Sequence, residues 1–137
     1  MNKMRLQIIS PRNILFDGEC TMLEYNTTEG YVGILPGHIA MTQILAPGKL
    51  TIYEENKEKP IYIAAMSGIS KILPDTVMIL AEIAELQNNI DVERAKIAKE
   101  RAEKIIKENE GKDPYELERA KYALKKAETR LQIANLK

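Results

Sequence analysis

The sequence contains no Gly-x-x-x-x-Gly-Lys-Ser/Thr loop and no Gly-x-Gly-x-x-Gly, so neither common nucleotide-binding fold is indicated. It has no Gly-x-Ser-x-Gly element and no Cys/His spacing suited to a metal, and no catalytic or metal-ligating residue is expected. Cysteine occurs once, at Cys20, which excludes an internal disulfide and fits a reducing compartment. Histidine occurs once, at His38, and no partner that would make it a catalytic base stands out. No apolar run approaches the ~20 residues of a membrane-spanning helix. Met1-Asn-Lys-Met-Arg5 leads directly into an alternating pattern, so no signal peptide is expected. Net charge is absent as well, with 20 basic and 20 acidic residues in 137, and no nucleic-acid partner is expected.

What is present divides at Leu86-Gln-Asn-Asn-Ile-Asp-Val-Glu-Arg-Ala95. Before it, apolar residues alternate; after it, they recur at threes and fours, which marks a change from strand to helix. The expected domains are residues 1–86 and residues 87–137. In the first, Met4 to Ile8, Ile14 to Phe16, Cys20 to Tyr25, Ile39 to Leu45, Leu50 to Tyr53, Ile61 to Met66, Ile69 to Leu73 and Val77 to Ile83 read as short strands. Asp17-Gly18, Pro47-Gly48 and Pro74-Asp75 read as turns between them. That spacing predicts a sandwich or barrel. No helix-length segment separates the strands, so the sheet should be mostly antiparallel. Gly30-Tyr-Val-Gly-Ile-Leu-Pro-Gly-His38 packs three Gly and one Pro into nine residues and predicts tight corners with positive φ. His38 then reads as a corner histidine bonded to backbone, and Cys20 as a small buried apolar residue.

The second domain predicts two helices, near 91–110 and 114–134. Asn88, Asn89 and Asp91 are N-cap types. Glu110-Gly111 reads as a helix end, and Asp113-Pro114-Tyr115-Glu116 as a new start with cap, Pro at the first helical position and a capping box. Two helices joined so briefly must fold back antiparallel. The stripes Ala95-Ala98-Ala102-Ile105 and Leu117-Ala120-Leu124-Ala127-Leu131-Ala134 are alanine-rich and bury little area, so the hairpin should be helical yet weakly docked. Residues 1–90 carry 7 basic and 10 acidic residues, and residues 91–137 carry 13 and 10. From Arg119 on there are six basic residues and only Glu128 of opposite sign, which suits an acidic partner, an anionic ligand or a solvated face. Arg94 and Arg101 share one helical face, and Lys126 and Arg130 share another. In a closed hairpin these four converge on a polyphosphate, with Asp91 accepting from an amino group such as that of adenine; alternatively they are solvated and paired with Glu93, Glu100, Glu103 or Glu128.

Gly30-Tyr-Val-Gly-Ile-Leu-Pro-Gly-His38, followed by a two-helix tail, resembles the epsilon subunits of bacterial F-type ATP synthases, over the whole chain. The resemblance implies a ten-stranded β-sandwich N-terminal domain plus a C-terminal antiparallel two-helix hairpin. It implies a non-catalytic rotor subunit at the cytoplasmic face of the bacterial cell membrane, seated on the central stalk against the gamma subunit and the membrane rotor ring. The tail is then an intrinsic inhibitor of ATP hydrolysis that lies folded or extends into the catalytic head. Some members bind ATP as a regulatory ligand through an Ile/Leu-Asp-x-x-Arg-Ala motif, which Ile90, Asp91, Arg94 and Ala95 match. Glu85, Arg101, Lys126 and Arg130 fall where such members place further nucleotide contacts, with Lys126 departing from arginine. Two rivals remain, a free-standing ATP sensor and a small hydrolase using His38. Co-purification with a membrane ATPase separates the first rival, and the missing nucleophile–base pair argues against the second.

Overall fold

Alternation becomes strand throughout the first half. A computed structural model, which describes residues 2–136, has eight strands there: β1 (Met4–Ile9), β2 (Ile14–Cys20), β3 (Met22–Thr27), β4 (Gly30–Ile34), β5 (Met41–Leu45), β6 (Gly48–Tyr53), β7 (Ile61–Ile72) and β8 (Thr76–Leu86). Their order is β2-β1-β8-β7-β5-β3-β4, with β6 pairing both β3 and β7. Two layers arise because β7 is shared. Its Ile61–Ala65 half pairs with β6, and its Gly68–Ile72 half pairs with β5. The inward residues, among them Leu6, Ile8, Leu23, Tyr25, Leu50, Ile52, Ile63 and Ile79, are all 0–1% exposed and form one core. Burying each such side chain contributes roughly 1.5–3 kcal/mol. The buried Tyr25 hydroxyl is satisfied, donating to Ser70 Oγ at 2.9 Å or Gln43 Oε1 at 3.1 Å.

The described strands number eight rather than the ten that the resemblance implies, and several bounds differ from those expected. Ile61–Met66 and Ile69–Leu73, expected as separate strands, are one strand bent at Ser67 (φ 62) without loss of register against β8. Gly68 makes the bend possible: a Cβ there would lie 1.9 Å from the Leu80 carbonyl oxygen. β2 runs through Asp17-Gly18 instead of ending there, since Gly18 pairs with Leu6 and Asp17 forms an ion pair with Arg5 at 2.6 Å. The Gly30–His38 segment is half strand and half corner. Gly30 (φ 123) opens β4, and Gly37 (φ 87) belongs to the turn that delays β5 to Met41. The pairing is antiparallel except between β1 and β8, which run parallel because the intervening sheet serves as their crossover.

Cys20 is fully buried, and burial pushes its thiol up to about 11. The second unit begins at Asn88, within a 3-10 turn at Gln87–Asn89. It consists of α1 (Val92–Asn109) and α2 (Pro114–Ala134), which pack against one another. Their buried positions are Ala95, Ala102 and Asn109 on α1, and Ala120, Ala127, Thr129 and Ile133 on α2. Ile133 is the one large aliphatic among them, so this packing buries little apolar area. Thr129 is buried at low cost because its hydroxyl donates to the Lys125 carbonyl at 2.8 Å within the helix.

Replacing Gly68 with Ala forces two backbones apart at the Leu80 carbonyl. The expected outcome in scanning calorimetry is a fall of roughly 5–15 °C in the sandwich midpoint. An unchanged midpoint would mean that the strands separate there without cost.

Candidate functional site

Asp91 has an extended backbone (φ −83, ψ 98), and its Oδ1 accepts from the Arg94 backbone N–H at 3.0 Å. Its carbonyl accepts from Ala95 N at 3.0 Å. Asp91 is thus the N-cap of α1, Arg94 stands at the third helical position, and Ile90 and Ala95 occupy the two positions of a hydrophobic staple. Both are buried, at 8% and 3% exposure. Three of the four residues of Ile-Asp-x-x-Arg-Ala are therefore accounted for by starting a helix. Arg94 is not: its side chain is exposed, and only its backbone serves the cap.

Arg101 follows on α1 and is also exposed. Glu93, one of the acids expected to neutralise these cations, pairs with Lys96 at 3.7 Å. Among the described residues, neither Arg94 nor Arg101 forms an ion pair. On α2, Lys126 and Arg130 are half-buried, and the Lys126 ammonium sits 5.0 Å from the centroid of the Tyr122 ring. The hairpin turn sets their level. Counting outward from Gly111, Arg94 falls between Lys126 and Arg130, within ~3 Å of each along the axis. Arg101 lies ~10 Å nearer the turn. Three cations thus share one level of the hairpin and the fourth is two turns away. Glu85 is half-buried on β8, in the sandwich unit, paired in register with Ala64.

Sequence reasoning missed Tyr122 as the seat of Lys126. The four-residue spacing was the available signal. His38 lies in the Leu35–His38 turn: its backbone N–H donates to the Leu35 carbonyl at 3.2 Å, and its Nδ1–H to the Ile39 carbonyl at 2.8 Å. That is the corner histidine expected from the glycine-rich stretch. Its bonded ring nitrogen is held by backbone, which supplies neither a nucleophile nor an orienting acid.

Comparison with known proteins settles the family. Residues 3–87 match the family model for the ATP synthase delta/epsilon chain β-sandwich domain, and residues 88–135 match the model for its long α-helix domain. The chain belongs to the ATP synthase delta/epsilon chain family. Among family members, the ATP synthase epsilon chain of Exiguobacterium sp. is 37% identical, covering 100% of this chain and 99% of its own. That of Halalkalibacterium halodurans is 36% identical, covering 98% of each. That of Staphylococcus haemolyticus is 33% identical over the full length of both. A chain in the structure of the Euglena gracilis mitochondrial ATP synthase shares the fold, with a TM-score of 0.82 at 24% identity, over 98% of this chain and 82% of that one.

The two members of the cap are separable by mutation. Arg94→Ala retains the N–H that Asp91 accepts from, so helical circular dichroism should be unchanged. Asp91→Ala removes the acceptor, and hairpin stability in urea unfolding should fall by about 1 kcal/mol. Equal loss in both variants would show that the Arg94 side chain also holds the helix start.

Proposed function

We propose that this chain is a rotor subunit of the central stalk of an F-type ATP synthase. It couples the catalytic head to the membrane rotor ring through the gamma subunit, without catalysing a reaction itself. Its C-terminal helices inhibit ATP hydrolysis when extended into the head, and ATP opposes this by holding them folded. The observation that carries the proposal is the match of both family domains, in order, across residues 3–135, with relatives named epsilon chains matching end to end. No helix among the described residues is long and apolar enough to cross a membrane, which suits a peripheral subunit at the cytoplasmic face.

The sandwich supports a protein partner. Ile44 pairs with Ile69, Ile69 with Leu80, Leu80 with Ile9 and Ile9 with Ile14. This is a row of aliphatic side chains across β5, β7, β8, β1 and β2. Ile44 is 59% exposed, Ile69 41%, Leu80 39% and Ile14 64%. Beside it lies an apolar groove of about 310 Å3 lined by Ile9, Ser10, Pro11, Leu80, Ala81 and Glu82. Exposed aliphatics in register over several strands suit an interface, and gamma is the partner that family membership suggests. Ile69→Glu changes an exposed side chain and should leave the thermal midpoint intact while weakening association with gamma at least about tenfold. Unchanged association would remove this face from the interface.

For the ligand, Asp91 keeps one carboxylate oxygen beyond the cap for the amino group of adenine, while Arg94, Lys126 and Arg130, at one level of the hairpin, take the phosphates and Arg101 adds positive charge two turns nearer the Gly111 turn; Ile90 and Ala95 complete the set within the hairpin. Cations from both helices are needed, so ATP binds the folded hairpin better than an extended tail and shifts the population toward it. Calorimetric titration of the full chain should show ATP binding, weakened about tenfold or more in Arg94→Ala, since a charge-assisted contact contributes roughly 1.5–3 kcal/mol. Equal binding by both proteins, or none at millimolar ATP, would refute the site.

The mobile-tail reading has its own test. All residues of the sandwich core lie between Met4 and Leu86, so a chain ending at Asn89 should fold and assemble. Hydrolysis by the assembled enzyme should then rise or stay level, and a fall with normal assembly would contradict an inhibitory tail.

A further inference from the structure

We propose that Asn109 is the latch of the hairpin and that the tail opens at Glu110–Asp113, as a hinge between two intact helices rather than by fusing them into one. Asn109 is the last residue of α1 and stands in phase with Ala95 and Ala102, on the buried face. A polar side chain at 7% exposure must be hydrogen-bonded to be tolerated. Both ends of its amide are used on a single residue. Nδ2–H donates to the Asp113 carbonyl at 3.0 Å, and Oδ1 accepts from the Asp113 N–H at 3.2 Å. Rotating the amide by half a turn would lose both bonds, so this pairing fixes its orientation.

The bracket encloses an unfavourable stretch of backbone. Glu110 (φ 48, ψ 33) and Gly111 (φ 78) are both left-handed, and Glu110 has no glycine-like freedom to be so. Lys112 N–H closes the turn onto the Asn109 carbonyl at 2.9 Å. Beyond it, Asp113 Oδ1 accepts from Tyr115 N at 3.0 Å and Glu116 N at 3.2 Å. The N-cap of α2 is therefore wired to the last side chain of α1. The reciprocal half of a capping box is absent because Asn109, not Glu116, takes the Asp113 N–H.

Pro114 closes the alternative route. It has no N–H to give the carbonyl of residue 110, and its ring would meet that carbonyl in a continuous helix. Release of the Asn109 bracket thus frees the Glu110–Lys112 turn between two helices, which keep Asp91 and Asp113 as their N-caps. This hinge is the means by which the mobile tail proposed above would move. Its test uses neither nucleotide nor motor, so either proposal can fail alone.

The test is made on the full chain carrying spin labels at Lys104→Cys and Glu118→Cys, both exposed, with buried Cys20 left unlabelled. The parent should give one short distance, and Asn109→Ala should add a broad, longer component. Hydrogen exchange at the Asp113 amide should quicken at least about tenfold, while Tyr115 and Glu116 stay protected. Helical circular dichroism should be retained. Adding Pro114→Ala should convert the broad component into a sharp one near ~21 Å, the rise of a continuous helix over that separation. The proposal is overturned by an unchanged distance and exchange in Asn109→Ala, by loss of helix in it, by a sharp ~21 Å component while Pro114 is present, or by no such component when Pro114 is removed.

Discussion

The pairing of β7 with β8 is the constraint on which the sandwich depends. These strands stay in register from Ile63–Leu86 to Ile72–Val77, and β1, β5 and β6 pair directly with one of them. β7 serves β6 with one half and β5 with the other, while β8 holds β1. Such sharing requires the pair to turn between layers without a break in the ladder. Ser67 supplies the dihedral angle and Gly68 the missing side chain. The core that results is made mostly of large aliphatics around one tyrosine, and all its members lie between Met4 and Leu86.

The hairpin is built on a different principle. Alanine every seventh residue lets two helices approach, yet gives them little to hold. What defines it is polar and local: Asp91 at one start, Asp113 at the other, and Asn109 between. Contacts of this kind are directional and few, so they are made or broken as a set. A rigid sandwich for docking and a tail held by a small number of specific bonds is a division of labour that fits a subunit of a rotating assembly.

Much of this was legible in the chain. The start of α2 was readable because Asp-Pro-x-Glu encodes cap and first turn within four residues, and the start of α1 because Asp91 is a cap type. β4 was hidden because Gly30, Gly33, Pro36 and Gly37 read as corner throughout, whereas backbone pairing with β3 makes strand of the first five residues. The continuity of β7 was hidden for the opposite reason. Gly68 reads as a breaker, but its value lies in the approach of Leu80, a contact between residues distant in sequence. For the candidate site, the four cations could be named from types and resemblance. Their levels also follow from the turn at Gly111, which the sequence marks, but the seat of Lys126 on Tyr122 and the half-burial of Arg130 needed the packed hairpin. Asn109 was invisible because nothing in its neighbours marks it; only the return of Asp113 gives it a role.

The parallel pairing of β1 with β8 has a consequence for the order in which the molecule assembles. Leu6 finds Val77 across most of the first unit's length, and until β8 has been made β1 has only β2 beside it. A chain synthesised from its N-terminus therefore holds an incomplete sheet, with the inner face of Leu6 and Ile8 uncovered, until nearly the end of that unit. Closing so long a loop is slow, whereas the hairpin joins residues close in sequence and forms fast. The hairpin forms without waiting for distant partners, whereas the β1 edge stays open until β8 is made, and it is there that a nascent chain would need protection from pairing with another.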